Sequence, residues 1–190
     1  MNDASTSAAR ERVLQTAERL FMERGYAAVT LNDIAAALQM KKASLYYHVP
    51  GGKEDLYVEV MERNLSRHEL GLSQAIGAAG PTLREHLTAA AEWLLSQPPV
   101  NLARLTRLDL PALESATAER LRWRAYQALL APLAHIFATA HIARPEPELL
   151  AGMFVFMMEA IHDAQVYSDR PRAAMLDETL TMLLHGLQQT

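Results

Sequence analysis

The chain has 190 residues, 50% of them hydrophobic, with no cysteine and a net charge of −4. That length suffices for one large or two small domains with a packed core, and without cysteine neither a disulfide framework nor a thiolate metal site is possible. No apolar run reaches the roughly 18 residues needed to span a bilayer, and the start MNDASTSAAR lacks the basic-then-apolar pattern of a secretory signal, so the sequence predicts a soluble, cytoplasmic protein with no membrane partner.

Residues 1–7 form a short polar arm, expected to be flexible. From 8 to 24 the apolar positions Val13, Leu14, Ala17, Leu20 and Phe21 recur at helical spacing, with charges on the other face. Gly25 supplies a helix stop. Thr30 followed by Asp33 resembles a capping box with Asp in place of Glu, opening a short helix that buries Leu31, Ile34, Ala35 and Leu38. A second short helix follows a tight turn and carries KKASLYYH. Two short helices so joined are a helix-turn-helix, whose second helix can lie in a DNA major groove.

That second helix belongs to the stretch KKASLYYHVPGGK, which holds every lysine of the chain: Lys41, Lys42 and Lys53. At 100° per residue, Leu45 points one way as an anchor, while Ala43, Tyr46 and Tyr47 cluster on the other side. Ala43 permits close approach to base edges, and Tyr46 can pack on a thymine methyl or hydrogen-bond in the groove. Lys41 and Lys42 sit at the end from which recognition helices first touch bases, in reach of guanine O6 and N7.

Pro50, Gly51 and Gly52 end this helix, and Lys53-Glu54-Asp55 starts a long one, with acids in its first turn. The long helix runs on through Leu56, Val60, Met61, Leu65 and Leu72 until Gly77, Gly80 and Pro81 break it. Prolines then divide the remainder into helices near 82–96, 100–109, 113–141, 147–168 and 172–188. The fold class is all-α, with a helix-turn-helix domain over 1–53 and a helical domain over 54–190. MFVFMM at 153–158 is apolar right around its helix and predicts burial on more than one side. Leu176, Leu180, Leu183 and Leu187 form a narrow seam suited to another helix. Together these two segments offer more apolar surface than one bundle buries, which predicts a homodimer through the last two helices.

TLNDIAAALQMKKASLYYHVPGGKEDL resembles the signature of TetR/AcrR-family transcriptional regulators over residues 10–65. The resemblance implies a three-helix DNA-binding head joined to a helical-bundle ligand-binding and dimerisation domain. It further implies phosphate-backbone roles for Ser44, Tyr47, His48, Lys53 and Thr30. Two positions depart from the pattern. Gln39 stands where the helix-helix turn usually has Gly, at a cost of about 1 kcal/mol if its φ is positive, and Val49 follows His48 where Phe is common.

In the second domain Trp93, Tyr126, Phe137, Met153 and Met157 sit at helical spacings and serve either as core or as the walls of an adaptable apolar pocket. Arg104, Arg107, Asp109, His141 and His162 are polar groups inside apolar segments. They are candidates for orienting a ligand head group, Arg107 foremost, or for pairing among themselves. The resulting expectation is a homodimeric repressor of double-stranded DNA with a palindromic operator, released by a small apolar effector, with no cofactor, metal site or catalytic residues. Two other readings stand beside it. One is a helical metal-binding enzyme using the E-x-x-H pair Glu159 and His162, for which no second E-x-x-H exists. The other is a DNA-binding protein with no effector.

Overall fold

The apolar spacing of residues 13–21 is realised as one helix in the computed structural model, which describes residues 2–140, 142 and 145–188. This helix, α1 (Asn2–Arg24), buries Val13, Leu14, Ala17, Leu20 and Phe21 and runs back through the polar stretch that the sequence leaves as an arm. His141 lies outside the described residues. Gly25 takes a φ of +83° and turns the chain out of α1. Next come α2 (Leu31–Ala37), α3 (Lys42–His48) and α4 (Gly52–Ala78). Leu31, Ile34 and Ala35 of α2 are buried, Leu38 only half so. Beyond the apolar core, α1 and α4 are joined by the paired bonds Arg63 makes to Glu11, 2.7 and 2.8 Å long, and by Arg10 to Glu59 at 2.7 Å.

After α5 (Leu83–Ser96), α6 (Leu102–Arg104) continues through a π turn, Leu105–Asp109, into a 3-10 turn, Leu110–Ala112. Likewise α7 (Ser115–Ala125) passes through a π turn, Tyr126–Leu130, into α8 (Ala131–Thr139). Each π turn ends two residues before a proline, Pro111 or Pro132. A proline within a continuous helix lacks an N–H and clashes with the carbonyl four residues back, and widening the preceding turn relieves both. The chain closes with α9 (Pro147–Ala164) and α10 (Arg172–Gln188). Among the described residues there is no strand, and no helix is long and apolar enough to cross a membrane.

Two compact units result: Met1–Asn64 with Val100–Trp123, and Leu65–Pro99 with Arg124–Thr190. The sequence divides the chain at 53/54, whereas α4 starts in the first unit and ends in the second, since no breaker interrupts it before Gly77. The first unit therefore takes in the 100–123 segment as well as the helix-turn-helix.

In the second unit, α5 opens on a full capping box: Thr82 Oγ1 accepts from Glu85 N at 3.3 Å while Thr82 N donates to the Glu85 carboxylate at 2.9 Å. α10 packs on α5 and α9, and α8 packs on α9. This arrangement corrects two expectations. In MFVFMM only Phe154, Val155 and Met158 are buried, while Met153 and Phe156 are 44% and 45% exposed, because the unit covers one face of α9. The leucine seam of α10 turns inward: Leu176 and Leu180 are buried within the unit and Leu183 and Leu187 are half-buried. The apolar surface left bare is another one, with Leu149, Met153, Phe156 and Ala160 along α9 and Met182 on α10.

Candidate nucleic-acid interface

The turn between α2 and α3 is built by backbone hydrogen bonds. Gln39 N donates to Ala36 O and Met40 N to Ala35 O, both at 3.0 Å, with Gln39 at φ +54°. This is a Schellman motif carrying Gln at the left-handed position that usually takes Gly. At the other end of α2, Thr30 caps: its Oγ1 accepts from Asp33 N at 3.2 Å, and Thr30 N and Oγ1 donate to Asp33 Oδ2 at 2.8 and 2.6 Å. These bonds hold the Asp33 carboxyl below its usual range.

α3 is held by Leu45, which is fully buried, and by Val49 just beyond it. Lys41, Lys42, Ala43, Ser44, Tyr46 and Tyr47 are all exposed, and His48 is half-buried with its ring edge-on to Tyr47. Lys42 Nζ lies 5.7 Å from the centre of the Tyr46 ring. A seven-residue helix that buries one side chain and presents two lysines and two tyrosines is shaped for an outside surface. The sequence locates this face because helical period alone sets which side Leu45 occupies.

Lys53 is placed differently from a free surface lysine. Its Nζ donates to the Tyr26 carbonyl at 2.8 Å and sits 4.0 Å from the centre of the Tyr26 ring, and partial burial lowers its pKa. Tyr26 in turn donates its backbone N–H to Asp109 Oδ1 at 2.9 Å. Asp109 is 4% exposed, accepts from the Tyr57 hydroxyl at 3.3 Å and pairs with Arg104 Nε at 3.5 Å. Burial first, and the adjacent Asp109 carboxylate second, push the Tyr57 phenol well up. Arg104 also donates to the carbonyls of Phe21 and Met22 at the end of α1, 3.1 and 2.7 Å away. Sequence reasoning singles out Arg104 and Asp109 only as polar groups in an apolar segment. Their pairing was one of the readings open, but their docking against Tyr26 depends on long-range packing that no local pattern records.

The six pocket candidates scatter. Phe137 is fully buried core, Met153 is exposed, and Arg107 is exposed in the first unit. Trp93 is half-buried with its ring in a slot left by Gly71, where a Cβ would stand 1.9 Å from the indole, and its Nε1 is shut from solvent without a hydrogen-bond acceptor. Tyr126 is half-buried at the start of its π turn. Met157 lines an open groove of about 290 Å³ between α9 and α10 with Ile161, Met175 and Met182. A second hollow of about 260 Å³, between the end of α5 and the start of α10, is lined by Glu92, Leu95, Arg172 and Leu176. Neither cavity brings the six together. Among the described residues, no group of three His, Cys, Asp or Glu is placed to hold a metal ion, Glu159 and His162 included.

Residues 13–60 match the family model of bacterial regulatory proteins, tetR family. Over 52 residues the chain is 48% identical to the HTH-type transcriptional regulator LmrA of Bacillus subtilis, covering 27% of this chain and 28% of that protein. Over 53 residues it is 42% identical to IcaR of Staphylococcus epidermidis, a negative regulator of the biofilm operon icaADBC, covering 28% of each. The chain thus matches under a third of the length of these curated relatives. Solved structures extend the likeness in fold to nearly the whole chain. AibR, solved with isovaleryl coenzyme A and operator DNA, has a TM-score of 0.73 at 23% identity, covering 91% of this chain and 96% of that one. A TetR regulator from Legionella pneumophila has a TM-score of 0.69 at 22% identity, covering 93% and 95%. The tetR-family signature thus lies on residues 13–60, and the fold of these solved regulators is shared along nearly the whole chain.

Proposed function

We propose that the protein is a dimeric DNA-binding transcriptional repressor that reads a palindromic operator with α3 and leaves it when a small, largely apolar effector binds the second unit. The observation that carries this reading is α3 itself, pinned by Leu45 and exposing Lys42, Ala43, Tyr46 and Tyr47 together. Lys42 and Tyr46 read base edges; Lys41, Ser44, Tyr47 and His48 hold the backbone, and Thr30 adds to that hold from the start of α2. The likeness to IcaR supports repression, and the fold shared with AibR, solved with isovaleryl coenzyme A and operator DNA, supports a DNA-binding regulator that also takes an effector.

Dimerisation uses the bare apolar stripe of α9 and α10. Leu149, Met153, Phe156 and Ala160 follow one another at spacings of 4, 3 and 4, the seam that suits a facing helix. Two helices from each chain then close a four-helix interface about a two-fold axis, which gives the operator its palindromic form. On this reading Met153 and Met157 belong to the dimer surface, and Trp93 and Tyr126 remain as effector contacts. An effector oxygen reaching the Trp93 indole N–H would relieve a buried unsatisfied donor, a cost of about 1–3 kcal/mol.

The test is selection of random duplexes by the purified protein, followed by titration of the winning sequence and a scrambled control at several salt concentrations. An enriched two-fold symmetric sequence is expected, bound far more tightly than the control. Enrichment of no sequence would overturn the reading.

A further inference from the structure

Three groups from two other stretches of the first unit meet at Tyr26. Asp109 holds its backbone N–H at 2.9 Å, Lys53 holds its carbonyl at 2.8 Å and lies over its ring, and the Tyr57 ring packs against it at 4.9 Å. Gly25 makes the approach possible, since a Cβ there would come within 2.9 Å of Asp109 Oδ1. The carboxylate is itself fixed by the Tyr57 hydroxyl and by Arg104, which also grips the last carbonyls of α1. Asp109 closes the π turn ahead of Pro111, so its position follows the register of the 102–112 segment.

We propose that Asp109 is a positioning residue for the Lys53 ammonium, acting through the Tyr26 main chain, so that the 102–112 segment sets how Lys53 is presented to DNA phosphate. The DNA clause deepens the regulator reading and rests on it. An ammonium has three donors. One is committed to the Tyr26 carbonyl, which restrains a long, otherwise free side chain and leaves two donors for phosphate. A restrained charge binds with less loss of rotamer freedom than a loose one. Should the 102–112 segment shift, Tyr26 loses the acceptor for its N–H, its carbonyl is freed to turn, and Lys53 loses both the hydrogen bond and the ring beneath it.

The experiment uses the full chain labelled with ¹³C-lysine, whose three lysines give three sets of ε-methylene signals. In the wild type the Lys53 signals are expected upfield of those of Lys41 and Lys42, shifted by the Tyr26 ring. Asp109→Ala should collapse that shift toward the other two, while Tyr57→Phe, which leaves the Asp109–Tyr26 bond in place, should preserve it. Gly25→Ala, which displaces the carboxylate, replaces Asp109→Ala should the latter not fold. Retention of the upfield shift in both Asp109→Ala and Gly25→Ala, or its absence in the wild type, would overturn the proposal, and none of these results requires DNA. The second arm compares Lys53→Gln in two backgrounds on the selected duplex. In the wild type it should lower the salt slope by about 1 per subunit and weaken binding several-fold, and in the Asp109→Ala background the loss should be much smaller. Equal losses in both would refute the link to DNA. Failure of the wild type to bind any duplex would overturn the regulator reading and, with it, the DNA clause, while the lysine signals still decide the role of Asp109.

Discussion

Replacing Gln39 by Gly should stabilise the protein. Gln39 holds φ +54° at the turn between α2 and α3, where an L side chain costs roughly 1–2 kcal/mol through the clash of its Cβ with the following carbonyl oxygen. The side chain is exposed and makes no hydrogen bond among the described residues, so nothing is lost when it is removed. Glycine's greater freedom in the unfolded chain takes back about 0.4–1 kcal/mol, leaving a net gain on the order of 0.5–1 kcal/mol. For a chain of this size that is a rise in Tm of about 1–4 °C. The assay is reversible thermal and urea unfolding of Gln39→Gly beside Gln39→Ala. The alanine variant keeps the clash and should sit within about 0.5 kcal/mol of wild type. Operator affinity should not fall in the glycine variant, because the two backbone bonds of the turn are retained. A destabilised Gln39→Gly, or an alanine variant that gains as much, would refute the strain argument.

Lys42→Ala should cost about 1–3 kcal/mol on the selected operator and relax preference at one base pair of each half-site, measured by titrating single-base variants of the site. Phe156→Glu should give monomers by analytical ultracentrifugation and abolish tight operator binding. By contrast Leu180→Ala, on the buried face of α10, should keep the dimer and lose about 2–5 kcal/mol of stability in urea. Because burial and Asp109 hold the Tyr57 proton on in the folded state, stability should fall as pH rises above about 10, where the unfolded phenol ionises and the folded one does not. Tyr57→Phe should flatten that alkaline decline, read from denaturant midpoints across the range.

The sequence by itself determines the order of the helices and most of their bounds, though not the start of α1 at Asn2, and it determines the face of α3. Both follow from short-range physics: helical period places Leu45 opposite Tyr46 and Tyr47, Thr30 and Asp33 mark a start, and Pro and Gly mark the stops. What tertiary structure decided is which apolar face meets which neighbour. The leucines of α10 and the methionines and phenylalanines of α9 carry the same hydrophobic signal, and only the packing of α5 and α9 around α10 buries the first set and leaves Met153 and Phe156 bare. The same holds for Lys53. Its charge and spacing read as a phosphate contact, while its bond to Tyr26 joins residues 27 apart and the bond of Tyr26 to Asp109 joins residues 83 apart. Pairings at that distance depend on the summed geometry of several helices, and no pattern along the chain encodes them locally.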